Sequence, residues 1–183
     1  MFAKGSVIRS TIEYVRAAAG EDALERALAM LPQETRSRCE RADPTEEIPF
    51  ELVQSVWQAA DRVLGADDPG WMEKAGAFSI ESTGVQLYSG ILRKSSPKEF
   101  LTQSVSLFRL YYHPGDMQVV YEAPGVAVLR LVGFDAGTTL FCRRQTGGLR
   151  CALTLAGGSE PRTRHVRCAM EGDAFCEWEL VWK

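Results

Sequence analysis

The chain has 183 residues, 45% of them apolar and 25% charged, a globular balance with enough material for a full core without covalent staples. Its formal net charge of −3 argues against a general nucleic-acid binder, which carries a basic face or stripe. No apolar run approaches the roughly eighteen residues of a membrane span, and the charged start Met1-Phe-Ala-Lys-Gly-Ser has no apolar run behind it, unlike a secretory signal.

These features lead to the expectation of a cytoplasmic protein with one domain, residues 1–183. Its five cysteines, Cys39, Cys142, Cys151, Cys168 and Cys176, are then mostly reduced.

The first half reads as helices. Ser6 to Ala19 carries Val7, Ile8, Ile12 and Val15 at helical spacing and stops at Gly20. Glu21 to Leu31 is a second helix, stopped by Pro32, which opens a short third one. Residues 42–48 form a polar loop. Phe50 to Leu64 is amphipathic, with Leu52, Val53, Val56, Trp57, Ala60, Val63 and Leu64 on one side. Trp71 to about Leu92 is helical with a break near Thr83-Gly84, and Ser96-Pro97 starts a helix that runs to Tyr111.

The second half changes character. Met117 to Glu122 and Val126 to Val132 alternate as strands around Ala123-Pro124-Gly125, and Thr138 to Leu155 is a helix. Gly147-Gly148 inside that helix is either a break or a point of close backbone approach. A terminal hairpin follows. The predicted class is α+β: N-terminal helices packed on a small antiparallel sheet, then a C-terminal helix and a β-hairpin.

The hairpin carries the most information. Val166, Cys168 and Met170 share one face of its first strand, and Cys176, Trp178, Leu180 and Trp182 share one face of its second. With Glu171-Gly172-Asp173 as the loop, Cys168 and Cys176 stand opposite each other, with Cβ atoms roughly 4.5–5.5 Å apart. Such a pair can share a metal ion, form a disulfide, or pack as small core residues.

This arrangement of helix, strand, Cys168, acidic turn, Cys176 and aromatic strand resembles the C-terminus of 4-vinyl-reductase-type domains, over roughly the last fifty residues. Those are small-molecule-binding regulatory domains, related in fold to the haem nitric-oxide-binding domain and to the vesicle-tethering TRAPP subunits. The resemblance implies a structural zinc held by Cys142, His165, Cys168 and Cys176. Strict alternation puts His165 and Cys168 on opposite faces, so the zinc reading needs a bulge or a strand that begins only at Val166. Cys151, nine residues after Cys142, lies about 180° around the helix and is expected in the core.

A second resemblance spans nearly the whole chain. Lys4-Gly-Ser-Val-Ile-Arg-Ser-Thr-Ile-Glu-Tyr-Val-Arg, Ala-Leu-Ala-Met-Leu-Pro and Leu107-Phe-Arg-Leu-Tyr-Tyr112 look like a paralogous domain family abundant in myxobacteria, which names no chemistry.

Haem is not expected. The chain has two histidines; His113 precedes Pro114-Gly115 in a turn, and Tyr88-Ser89 followed by Arg93 lacks the spacing of a propionate cluster. No nucleophile elbow, phosphate loop or dinucleotide fingerprint is present, and packing accounts for Cys168 and His165 better than a nucleophile pair does. An enzyme is therefore not expected. Arg143, Arg144, Arg150, Arg162, Arg164 and Arg167 read as a solvated basic surface.

In the ligand-binding relatives the pocket lies between sheet and helices. Its candidate lining here is Trp57, Phe108, Tyr111, Phe141 and Trp178, with space left by the small residues Ala59, Ala60 and Ser104. The expected function is a sensory or regulatory module that binds a small apolar molecule, forms a homodimer and signals through a partner protein. The alternative is a TRAPP-like dimeric scaffold without ligand.

Overall fold

The computed structural model describes residues 1–84 and 96–183, without the side chains of 83–84 and 103–107. Tyr88, Ser89, Arg93, the expected helix end at Leu92 and the Ser104 side chain thus lie outside the described residues.

The helices start and stop where local chemistry directs. Helix α1 (Gly5–Ala19) ends at Gly20, whose φ of 85° closes the last turn. Helix α2 (Glu21–Ala29) opens on two acidic residues, and α3 (Gln33–Glu40) follows Pro32. Helix α4 (Phe50–Leu64) buries Phe50, Val53, Val56, Trp57, Ala60 and Leu64 along one stripe. Helix α5 (Trp71–Ser79) runs into a π turn over Ile80–Gly84, where the sequence suggested a break. Helix α6 (Pro97–Tyr111) has proline in its first turn, and its Ser96 cap accepts the Glu99 N–H at 3.3 Å. Helix α7 (Thr139–Leu155) is capped by Thr138, which accepts the Leu140 N–H.

Two antiparallel sheets accompany them. In the smaller, β1 (Phe2–Lys4) lies between β2 (Glu47–Pro49) and β3 (Tyr112–His113). The sequence reading missed this sheet. Its strands have only two or three residues, too few for alternation to register, and β2 falls at the end of the expected polar loop.

The larger sheet has the order β4-β5-β7-β6, formed by β4 (Asp116–Ala123), β5 (Val126–Val132), β6 (Arg162–Arg167) and β7 (Cys176–Val181). Strands β5 and β7 alternate as the pleat requires. Ala127, Leu129, Leu131, Cys176, Trp178 and Leu180 point into the core, and Arg130 and Glu177 pair across the outer face at 2.8 Å.

The terminal hairpin departs from expectation. Strand β6 ends at Arg167, and a 3₁₀ turn over Ala169–Glu171 replaces the three-residue loop. Cys168 and Cys176 are therefore not cross-strand partners; β6 pairs His165 with Trp178 and Arg167 with Glu177, with Val166 as the bulged residue. Val166 is consequently exposed rather than core. The bulge also removes the parity conflict between His165 and Cys168.

Helix α7 is the central element, with Leu140, Phe141, Cys142, Arg144, Thr146, Gly147, Leu149, Cys151, Ala152 and Leu153 all buried. It crosses α5 at backbone contact. A Cβ on Gly76 would strike the Arg144 carbonyl, and one on Gly147 would strike the Glu73 carbonyl. Of the two readings of Gly147-Gly148, the structure shows close approach, within an unbroken helix. Gly148 is different, since its nearest side-chain atom would be 3.5 Å away.

G147A should therefore destabilise the protein by about 1–3 kcal/mol in urea unfolding, as overpacking does. G148A should be neutral or stabilising by up to about 1 kcal/mol from helix propensity. Equal effects of the two substitutions would contradict the crossing described.

Candidate metal centre and apolar cavity

The four residues Cys142, His165, Cys168 and Cys176 converge, each offering one ligand atom, with all four atoms within 4.8 Å of one another. Each comes from a different local device. Cys142 sits in the first turns of α7, and His165 stands beside the β6 bulge. Cys168 follows β6, where its N–H donates to Asp173 Oδ2 at 2.7 Å and its carbonyl accepts the N–H groups of Glu171 and Asp173. Cys176 opens β7, and its sulfur accepts the Ala169 N–H at 3.4 Å.

The sulfur spacing separates a disulfide from the other two chemistries left open by the sequence, a shared ion and plain packing. Cys142 Sγ lies 3.7 Å from Cys176 Sγ and 3.9 Å from Cys168 Sγ. A disulfide needs about 2.05 Å, and all five cysteines are free. A tetrahedral ion with Zn–S bonds of about 2.3 Å sets its sulfurs about 3.8 Å apart.

His165 adds an independent sign. Its ring stacks on Trp178 at 4.8 Å, while its Nε2 is buried without a hydrogen-bond partner. A buried nitrogen without a hydrogen-bond partner beside three thiols is the arrangement a fourth metal ligand would have.

The thiols do not share one protonation tendency. Cys176 is pulled down by the hydrogen bond from Cys142, against burial and with help from His165 and the Ala169 N–H. Cys142 is pushed up by the same hydrogen bond and by burial. Burial also raises Cys168. One thiolate is thus already favoured at the centre of the set. The other two cysteines stand apart. Cys151 is raised to about 12 by burial, with a smaller contribution from nearby Glu81, and Cys39 is buried in α3, raised to about 11 chiefly by burial.

Below the cluster, Trp178 is fully buried; its Nε1 donates to Thr146 Oγ1 at 3.0 Å, and that hydroxyl donates to the Cys142 carbonyl at 2.9 Å. Trp178 thus ties the sheet to α7 rather than lining a pocket.

Trp57 and Phe141 belong to the solid core. Phe141 lies in an aromatic cluster, 4.9 Å from Phe134 and 5.3 Å from Tyr112, and Trp57 joins it through Phe50 at 5.7 Å. Phe108 and Tyr111 do border a half-open cavity of about 70 Å³, with Ile80, Phe100, Tyr112 and Met117. Ala59 and Ala60 lie elsewhere, around a space of about 10 Å³ between α1, α2 and α4. The expectation of one cavity bordered jointly by Trp57, Phe108 and Tyr111 is corrected accordingly, because Trp57 turns toward α1 to donate to Thr11 Oγ1.

The basic surface is also corrected at one residue. Arg144 is only 4% exposed. Its guanidinium donates to Ser10 Oγ at 2.8 Å and Thr11 Oγ1 at 3.4 Å, lies 5.6 Å over the Trp57 ring, and hydrogen-bonds Tyr112. Sequence reading missed it because five other arginines surround it. Its spacing to Phe141 and Gly148, three residues before and four after, was the available signal for an inward face.

No protein-family model matches the chain, and no curated protein sequence matches it. Solved structures do. A structure from work on haem distortion in the H-NOX family superposes with a TM-score of 0.75 at 16% identity, covering 98% of this chain and 95% of that one. A mutant of the T. tengcongensis H-NOX protein gives 0.74 at 16% identity, covering 98% and 97%. The Fe(II) unliganded H-NOX protein of K. algicida gives 0.73 at 10% identity, covering 98% and 96%. The chain therefore has the fold of H-NOX domains, the haem nitric-oxide-binding class.

This finding overturns the expectation of no haem, which rested on the two histidines' sequence context and on the spacing of Tyr88, Ser89 and Arg93. In this chain, however, neither histidine borders the cavity. His113 is exposed on β3 and His165 stands among the three cysteines. The cavity side chains with donor atoms are Tyr111, Tyr112, Met117 and Gln145, so the residues described offer a haem no histidine ligand.

Among the described residues, no helix is long and apolar enough to cross a membrane. T146V should lower stability by about 1–3 kcal/mol, because it leaves the buried Trp178 N–H unsatisfied. A thermal melt unchanged from that of the parent protein would show that the Trp178–Thr146 link contributes nothing.

Proposed function

We propose that the chain is a sensory or regulatory domain, not an enzyme, that binds a small, largely apolar molecule between α6, α7 and the π turn and carries a structural zinc. The observation that carries the reading is the H-NOX fold over 98% of the chain together with an apolar cavity bordered by Phe100, Phe108, Met117 and Leu149. The sulfur spacing and the orphan His165 Nε2 support zinc at Cys142, His165, Cys168 and Cys176, in the ligand pattern of 4-vinyl-reductase-type domains. Zinc there ties α7 to the hairpin and supplies no chemistry. The output of such a domain passes to a partner protein, and we place it in the cytoplasm.

A second reading, a dimeric scaffold without ligand, is favoured by one observation. The cavity holds about 70 Å³, against roughly 300–1,000 Å³ for ordinary ligand pockets.

Purified protein should contain about one zinc per chain. C176S should lose the metal and cost roughly 3 kcal/mol or more, lowering Tm by about 6–12 °C. Metal-free protein that melts with the zinc-loaded form would overturn the zinc assignment. Native mass spectrometry decides between the two readings: a retained small molecule supports the sensor, and a ligand-free dimer supports the scaffold. Haem belongs among the ligands tested, by the Soret absorbance of protein mixed with hemin.

A further inference from the structure

The apolar cavity is not alone. A second lobe of about 50 Å³ adjoins it, bordered by Val7, Gly76, Ser79 and Arg144. The two lobes share Ile80, Tyr111, Tyr112, Gln145 and Gly148 as walls. One end is thus lined by Phe100, Phe108, Met117 and Leu149, and the other by a guanidinium.

That guanidinium has neutral partners only. Ser10, Thr11 and Tyr112 supply oxygens and Trp57 its ring face. Among the described residues no Asp or Glu forms an ion pair with Arg144, and residues 85–95 and 103–107 contain neither acid. Buried charges in proteins are otherwise paired or bind ions. Here the hydroxyls of Ser10 and Thr11 are themselves engaged as donors to the Val7 carbonyl. They therefore solvate the cation with lone pairs and bring no negative charge.

We propose that the two lobes form one site for a small amphipathic carboxylate, its apolar body among Phe100, Phe108, Met117 and Leu149 and its carboxylate on Arg144. At about 70 and about 50 Å³ the lobes together are somewhat smaller than the apolar cavity of about 150 Å³ that holds benzene, so the body is no larger than one ring. Arginine is the side chain suited to such a group, since its planar fork matches a carboxylate in two parallel hydrogen bonds. This inference rests on the ligand-binding reading above and adds the charge of the ligand.

The test titrates the full chain with benzoate and 3-phenylpropionate, and with benzyl alcohol as the uncharged control, by calorimetry and by the ¹⁵N resonance of the Arg144 Nε–H. At least one carboxylate should bind tenfold or more tighter than the alcohol and should shift that resonance, which the alcohol leaves in place. R144Q should erase the preference while keeping the alcohol's weak binding, and R144K should retain part of it. A152F, which fills the apolar lobe, should abolish both, so the result does not depend on a folded Arg144 variant. Carboxylates that bind no better than the alcohol overturn the proposal and leave the apolar-ligand reading intact. A chain that binds none of the three probes overturns this proposal, and if native mass spectrometry also finds no retained molecule, the ligand-binding reading falls with it.

Discussion

Helix α7 is buried over most of its circumference, with one stripe of Thr139, Arg143 and Thr154 left to solvent, and the fold depends on how closely α5 can approach it. Backbone meets backbone at Gly76 and Gly147, where any other residue would place a Cβ inside a carbonyl. With α5 seated there, the remaining faces of α7 are free for three separate tasks. Cys142 faces the hairpin, Thr146 faces Trp178, and Arg144 faces α1 and the cavity. On its buried faces the helix has no place for a polar side chain without a partner. The polar residues of α7 are thus fixed in direction by what they must meet.

The hairpin shows the same economy of a local irregularity. One bulged residue, Val166, turns His165 and Cys168 toward a common point. The 3₁₀ turn after Cys168 then aims the Ala169 N–H at the Cys176 sulfur. An N–H directed at sulfur stabilises thiolate over thiol, and that is the form a metal takes. Regular β-geometry would have given two opposed cysteines and a histidine facing away.

Much of this was legible in the chain. The span Phe50–Leu64 and the Ser96-Pro97 start declared themselves through a full apolar stripe and a capping pair. Cys168 and Cys176 were legible as a pair from the hairpin pattern, but their grouping with Cys142 and His165 only through a family likeness, since His165 stands beside a bulge and Cys168 before a 3₁₀ turn that no periodicity announces. The small sheet was illegible because its strands are two and three residues long. Trp57 and Phe141 were assigned to a pocket because size and apolarity do not distinguish a cavity wall from solid core. Arg144 was read as surface because charge is an outward signal unless tertiary structure supplies oxygens and a ring, as Ser10, Thr11 and Trp57 do. Haem was set aside on histidine context and spacing, whereas the fold is one that solved haem proteins share.

Cys142 and Arg144 lie two residues apart on one rigid helix, one at the cysteine–histidine cluster and the other at the cavity. A rigid helix cannot slide or rotate at one of these positions alone. Any occupant of the cavity that shifts α7 also moves a sulfur against its three companions, whose spacing sets the affinity for an ion. Such coupling is reciprocal by thermodynamic necessity: the factor by which ligand changes metal affinity is the factor by which metal changes ligand affinity. The two sites would then report on one another through a single turn of helix, with no longer pathway between them.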